Sequence, residues 1–199
     1  MDTWNILDKF QAPNFVRAIK LSSDNRTLFA AGSEELWAID VSSGMRLWST
    51  QAHVYKPDGV KVIRVGIGAL ETSPTQKMVA TGGEDMSIIL WNEETFEQIR
   101  TLTGHEWGVE AVAFTPDGKH LASCNTSEVC VWETETGKLL NRVKTVRGLG
   151  PREPGGREGP DIGPSSLIVS PTGSHIYVGD LGGRIMQYDL QKLIVASGK

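Results

Sequence analysis

Histidine, a hydroxyl side chain and a carboxylate recur together along this chain, and that combination is the raw material of acyl transfer. His53, Thr81 and Asp85 fall in one stretch, and His105 and Ser123 in the next. A hydroxyl nucleophile needs an imidazole at hydrogen-bond reach, a third group to orient that imidazole, and donors for the oxyanion in an open cleft. The residue types are present, but nothing in the sequence marks an oxyanion site. A Gly-x-x-x-x-Gly-Lys-Ser/Thr loop, a His-Glu-x-x-His helix and zinc-ligand spacings are all missing. Gly148 to Gly159 is rich in glycine without the strand and helix that a phosphate-binding loop requires. No catalytic residue, cofactor site or metal site is expected, and the chain is read as not an enzyme.

Other reactive residue types have plainer readings. The two cysteines, Cys124 and Cys130, lie on neighbouring strand-like runs and read as small buried apolar side chains. His120 and His175 occupy matching positions just past a turn and read as turn-edge residues. Asp85, Glu84, Glu93 and Glu94 read as a solvated acidic face. Arg147, Arg152 and Arg157 alternate with Glu153, Glu158 and Asp161, so their field largely cancels.

The elements that carry these residues are strands. From Val109 to Trp132 apolar and polar residues alternate in short runs, interrupted by Thr115-Pro116-Asp117-Gly118, a pattern of antiparallel strands joined by tight turns. The same turn returns as Ser22-Ser23-Asp24-Asn25, Ser73-Pro74-Thr75-Gln76 and Ser170-Pro171-Thr172-Gly173. Strand ends recur as Ile39-Asp40, Trp91-Asn92, Trp132-Glu133 and Tyr188-Asp189. Gly104-His105 precedes one copy and Ala52-His53 another.

This order of Gly-His, strand, turn, strand and Trp-acid resembles the WD40 repeat, one blade of a β-propeller. The resemblance implies an all-β fold: a WD40 β-propeller with four blades of four-stranded antiparallel sheet, forming a partial ring or a ring completed by association. Residues 1–199 are expected to form one propeller domain, with blades near 16–50, 62–102, 109–143 and 165–197. Leu193 to Ser197 is expected to supply the last strand of blade four, and Trp4 to Phe10 to be a leading strand whose partners lie elsewhere in the ring. The Gly- and Pro-rich segment 144–164 is expected to be a flexible loop. The resemblance also gives the histidines and hydroxyls a structural role, in a hydrogen-bond network that ties strands together. By motif position the network maps onto His53, Thr81, Asp85 and Trp91 in blade two. In blade three it maps onto His105, Ser123 and Trp132, with Asn125 or Thr126 near the missing Asp position.

At 199 residues, 39% hydrophobic and 22% charged, the chain can bury one core. A net charge of −4 argues against broad electrostatic capture of nucleic acid. No run is apolar enough to span a bilayer and no secretory leader is expected, which points to the cytoplasm or nucleus. Four blades are fewer than the roughly seven usual in the family. A longer propeller is ranked first, ring completion by self-association or a partner second, and a tight four-blade ring third. The resemblance implies a non-catalytic scaffold that mediates protein-protein interactions in assembly of a larger complex. Candidate partner contacts are the insertion 54–61 with Tyr55 and Lys56, the long loop with Arg147, Arg152 and Arg157, and Trp107, which faces either a partner or the ring interior. The competing class is an enzyme or ligand-binding propeller using the central channel, where Arg17, Lys20, Glu71 and Glu110 lie on the innermost strands without forming a repeated constellation.

Overall fold

The computed structural model describes residues 15–55, 63–145, 148–149 and 161–195. The expected leading strand Trp4 to Phe10 lies outside them, as do Lys56, Arg147, Arg152 and Arg157. Blade one is an antiparallel sheet of β1 (Ala18–Leu21), β2 (Thr27–Ala31), β3 (Leu36–Asp40) and β4 (Arg46–Thr50), in sequence order. A short ladder of β5 (Val54–Tyr55) and β6 (Ile63–Arg64) closes the ends of the first insertion. Blade two contains β7 (Ile67–Thr72), β8 (Met78–Gly83), β9 (Ser87–Asn92) and β10 (Gln98–Thr103). Blade three contains β11 (Ala111–Phe114), β12 (His120–Asn125), β13 (Glu128–Glu133) and β14 (Leu139–Lys144). The long loop begins and ends on a second ladder, β15 (Gly148–Leu149) with β16 (Asp161–Ile162). Blade four has three strands, β17 (Pro164–Val169), β18 (His175–Asp180) and β19 (Ile185–Asp189), followed by helix α1 (Leu190–Val195). The architecture is that of a WD40 β-propeller built from four antiparallel blades.

The turns are set by local chemistry. In three of the four first-to-second strand turns the fourth residue is left-handed, with φ of 61° at Asn25, 69° at Gly118 and 68° at Gly173. The first residue's hydroxyl then accepts the N–H of the incoming strand: Thr27 to Ser22 at 2.9 Å, His120 to Thr115 at 3.0 Å and His175 to Ser170 at 3.0 Å. The acid or amide closing each third strand organises the outer turn. Asp40 accepts from Ser43 N–H at 2.7 Å and Asn92 from Thr95 N–H at 2.9 Å. Four positions after that residue the chain turns left-handed, at Gly44, Phe96 and Gly137.

The corresponding residue in blade four is Leu193, and there the expected last strand is replaced by α1. Asp189, the equivalent acid, caps the helix by accepting Lys192 N–H at 3.1 Å. The chain does not reverse there, and Leu190-Gln191-Lys192-Leu193 follows its helical propensity. Leu190 is buried, and Leu193 O accepts Asn141 Nδ2 of blade three at 2.8 Å.

Apolar layers fill the joints between neighbouring blades. Phe29, Leu36, Ile67, Leu70 and Trp91 join blades one and two. Ile88, Leu90, Val112, Phe114 and Trp132 join two and three, and Val129, Val131, Leu167, Ile176 and Val178 join three and four. The innermost strands pack side by side, β1 on β7, β7 on β11 and β11 on β17. Where blade one has Ile39 for the usual Trp, the side chain is still buried beside Ala30 and Trp37.

Candidate functional site

In blade two the connection before β7 carries His53 into the sheet, where it is fully buried. Its Nδ1 lies 2.8 Å from Asp85 Oδ1 and its Nε2 lies 2.9 Å from Thr81 Oγ1. Trp91 Nε1 donates to the same Thr81 oxygen at 2.9 Å. Asp85, in the β8–β9 hairpin, also accepts from Ser87 N–H at 3.2 Å and Oγ at 2.8 Å. Because an indole only donates, Thr81 accepts from Trp91 and gives its own proton to Nε2, which leaves Nδ1–H to donate to Asp85. Burial alone would raise the Asp85 pKa, but hydrogen bonds from His53 and Ser87 outweigh it and hold the carboxyl below its ordinary value.

Blade three repeats the relay. Trp132 Nε1 donates to Ser123 Oγ at 2.7 Å, Ser123 lies 2.7 Å from His105 Nε2, and His105 Nδ1 lies 2.9 Å from a carboxylate. That carboxylate is Glu128, which the sequence reading did not name. Three residues separate β8 from β9, whereas only Thr126 and Ser127 separate β12 from β13. The shorter hairpin deletes the Asp position, and the longer Glu side chain at the first residue of β13 reaches the same imidazole nitrogen. Asn125, expected near that position, braces the hairpin: its Oδ1 accepts from Ser127 N–H at 2.9 Å and Glu128 N–H at 3.0 Å, and its Nδ2 donates to Glu128 at 3.1 Å. Thr126 is a hairpin residue.

Glu128 is fully buried and also accepts Glu106 N–H at 3.0 Å. Arg142 Nε on β14 lies 3.2 Å from its second oxygen, an ion pair whose N–H is not aligned as a hydrogen bond. Arg142 and Lys144 both reach the exposed Glu106, at 3.3 and 3.0 Å. Burial by itself would raise the Glu128 pKa, but the Glu106 N–H, His105 and Arg142 together hold it below its ordinary value. Burial pushes the His105 pKa down by more than Glu128 restores.

The bonding order of hydroxyl to imidazole to carboxylate is that of a nucleophile relay. Its surroundings deny that chemistry, because Thr81 and Ser123 are fully buried and the indole N–H occupies the oxygen that would attack. His105, Glu128 and Cys130 place ligand-type atoms within 4.8 Å of one another. The imidazole-carboxylate contact of 2.9 Å is a hydrogen bond, whereas two ligands on a tetrahedral zinc at about 2.0 Å would stand roughly 3.3 Å apart. The adjacent Arg142 guanidinium also opposes a cation. Both thiols are free and buried, and burial pushes each up to about 12.

The remaining candidates separate. The acidic group of blade two is split across β9: Glu84 and Asp85 lie at one end, Glu93 and Glu94 at the other. Glu84 pairs with Arg17 at 3.2 Å. Glu93 is buried, not solvated, held by Ser23 Oγ at 2.5 Å and Lys77 at 3.2 Å. Lys20 pairs with Glu71 at 2.8 Å, so Arg17, Lys20 and Glu71 are all committed to ion pairs between blades one and two. His120 and His175 start β12 and β18 as expected, opposite Glu133 and Asp189. Trp107 is 53% exposed and Tyr55 is 40% exposed. Each stands two residues after its blade's network histidine, in the connection from one blade's outer strand to the next blade's inner strand. The described parts of these connections therefore share one face of the propeller.

The repeated sheets and their His-hydroxyl-Trp relays are those of WD40 repeats, and this chain carries such repeats. The family described as WD domain, G-beta repeat, matches residues 60–92 and 96–133. The chain is 28% identical over 123 residues to Protein HIR1 of Eremothecium gossypii, covering 55% of this chain and 14% of that protein. It is 27% identical over 150 residues to Nuclear distribution protein nudF of Aspergillus niger, covering 69% and 33% respectively. A 66 kDa stress protein of Physarum polycephalum is 31% identical over 105 residues, covering 51% and 16%. The chain spans no more than about a third of the length of these relatives. Among the described residues no helix is long and apolar enough to cross a membrane.

Proposed function

We propose that this chain is a non-catalytic scaffold that holds protein or peptide partners on one propeller face during assembly of a larger complex, in the cytoplasm or nucleus. The observation that carries the reading is where the polar groups go. His53, Thr81, Asp85 and Trp91, and His105, Ser123, Glu128 and Trp132, are bonded to one another inside the blades. What remains for recognition is the face bearing the interblade connections, where Trp107 and Tyr55 are exposed and Glu106, the sequence neighbour of Trp107, pairs with Arg142 and Lys144. Aromatic side chains next to charged groups are favoured anchors at protein interfaces. Lys56, Arg147, Arg152 and Arg157, which lie outside the described residues, are proposed as further contacts because they belong to the two insertions in the sequence. In this reading residues 1–199 act as one propeller unit.

The test is affinity capture from the native source with the wild-type chain and a Trp107→Ala/Tyr55→Ala variant, read by quantitative mass spectrometry. The reading expects discrete co-purifying proteins that the variant loses while its melting temperature is unchanged. An identical set of proteins on both baits, or nothing above an unrelated propeller, would overturn it.

A further inference from the structure

Strand register aligns the four blades position by position and shows that each internal joint is built from the same pair of residues. One is an aliphatic at the start of the third strand, facing the following blade: Leu36, Ile88 and Val129, at most 1% exposed. The other is an aliphatic on the next blade's first strand, facing backwards: Leu70, Val112 and Leu167, at most 8% exposed. Leu36 shares an apolar cluster with Leu70, Ile88 with Val112, and Val129 with Leu167.

Among the described residues, blades one and four hold the unmatched halves of that pair. Ile185 of blade four is the fourth forward-facing residue and is 80% exposed, and Ile168, on the same face of the sheet across β18, is 64% exposed. Ile19 of blade one is the remaining backward-facing residue and is 59% exposed, next to Leu21 at 44%. Ala30, Trp37 and Ile39 on the same side of blade one are buried, so the open part of that end is its innermost strand. Innermost strands are also where the internal joints make their side-by-side contact.

We propose that two copies of this chain join end to end, the Ile185 face of each against the Ile19 face of the other. Two such joints around a two-fold axis along the channel close a ring of eight blades, the upper end of the common range of about four to eight. Complementarity selects a second copy as the occupant, since Ile185 and Ile19 stand at the two register positions that meet in every internal joint. This surface lies on the sheet faces, apart from the interblade connections proposed above for partners, so either reading can fail alone.

The experiment is light scattering coupled to size exclusion on the purified chain, across a dilution series. The expected species has twice the chain mass of 21.7 kDa. Ile185→Glu and Ile19→Glu should each raise the dimer dissociation constant by about tenfold or more, as expected when a charge enters an apolar contact. Both positions are exposed, so cooperative melting should persist; Ile168→Lys is a second variant on the blade-four face. Mixing the two glutamate variants should restore a dimer through the one joint they still share. A wild-type monomer at every concentration, whether from closure within one chain or because the ends accept other blades, overturns the proposal. So does a dimer that both variants leave intact, or a mixture that stays monomeric.

Discussion

Replacing Glu128 with alanine tests the account of blade three most directly. The carboxylate is fully buried and accepts from His105 at 2.9 Å, Glu106 N–H at 3.0 Å and Asn125 at 3.1 Å, with Arg142 at 3.2 Å from its other oxygen. An orphaned buried donor costs about 1–3 kcal/mol, and breaking a buried ion pair about 3–5 kcal/mol. These do not sum here. The Arg142 side chain is 27% exposed and still has Glu106, so most of its loss is relieved by solvent. The dominant loss is the His105 and Asn125 donors, for a net cost of about 3 kcal/mol. At about 2–4 °C per kcal/mol for a domain of this size, the melting temperature should fall by roughly 6–12 °C. Differential scanning calorimetry at neutral pH measures it, with Glu106→Ala as the exposed control, expected to shift stability by less than about 0.5 kcal/mol. Glu128→Gln keeps an acceptor for His105 and should lie between alanine and wild type. If alanine melts within about a degree of wild type, or glutamine is as damaging as alanine, the carboxylate is not what orders this relay.

Three further outcomes follow from the same geometry. At Gly83 an added Cβ would sit 2.3 Å from the His53 ring, so Gly83→Ala should displace the imidazole and lower stability by about 1–3 kcal/mol in urea titration. Acid should weaken the fold in two stages. His105 is held below its ordinary 6.5 in the folded state, so the unfolded chain takes up that proton first and stability falls from near pH 6.5 downward. Asp85 and Glu128, held below 3.8 and 4.5, contribute stability that is complete above those values and is lost as pH falls through their lower folded-state values. Urea midpoints across pH should show both stages, and His105→Asn should remove the upper one while the Asp85 contribution to the lower one persists. Finally, Cys124 and Cys130, both buried with pKa values pushed up to about 12, should resist iodoacetamide in the folded chain and react once it is denatured, as read by intact mass.

The blades were legible because their information is local. Alternation fixes which side chains face a joint, and the hydroxyl-led turns set register within a residue or two, so β1 to β4 and β7 to β14 fall where the pattern puts them. The relay residues of blade two were legible through their motif positions. Glu128 was not, because its role depends on a hairpin one residue shorter than its counterpart; the clue was an acid opening an otherwise apolar strand. Helix α1 was missed because Leu193-Ile194-Val195 suits either a strand or a helix. The acidic group of blade two misled through sequence proximity: six residues of extended chain in β9 set its members roughly 20 Å apart.

The comparison of blades two and three identifies what the repeat must preserve. Asp85 reaches His53 from within a three-residue hairpin, whereas Glu128 reaches His105 from the first position of a strand, yet the contacts are 2.8 and 2.9 Å. The invariant quantity is therefore an anionic acceptor at imidazole Nδ1, which selects the tautomer whose Nε2 accepts from the hydroxyl. That hydroxyl can then take the indole N–H, so the imidazole, hydroxyl and indole of each relay all find partners inside the blade. Blade four has Val178 where the other two have Thr81 and Ser123, and Tyr188 for the Trp, so it carries no such relay. Blade one has Ala30 and Ile39 at those positions. The relay thus braces the two inner blades, while the end blades replace it with apolar contacts; stability lost by disrupting His53 should be centred on the joint between β1 and β7, and by disrupting His105 on that between β7 and β11.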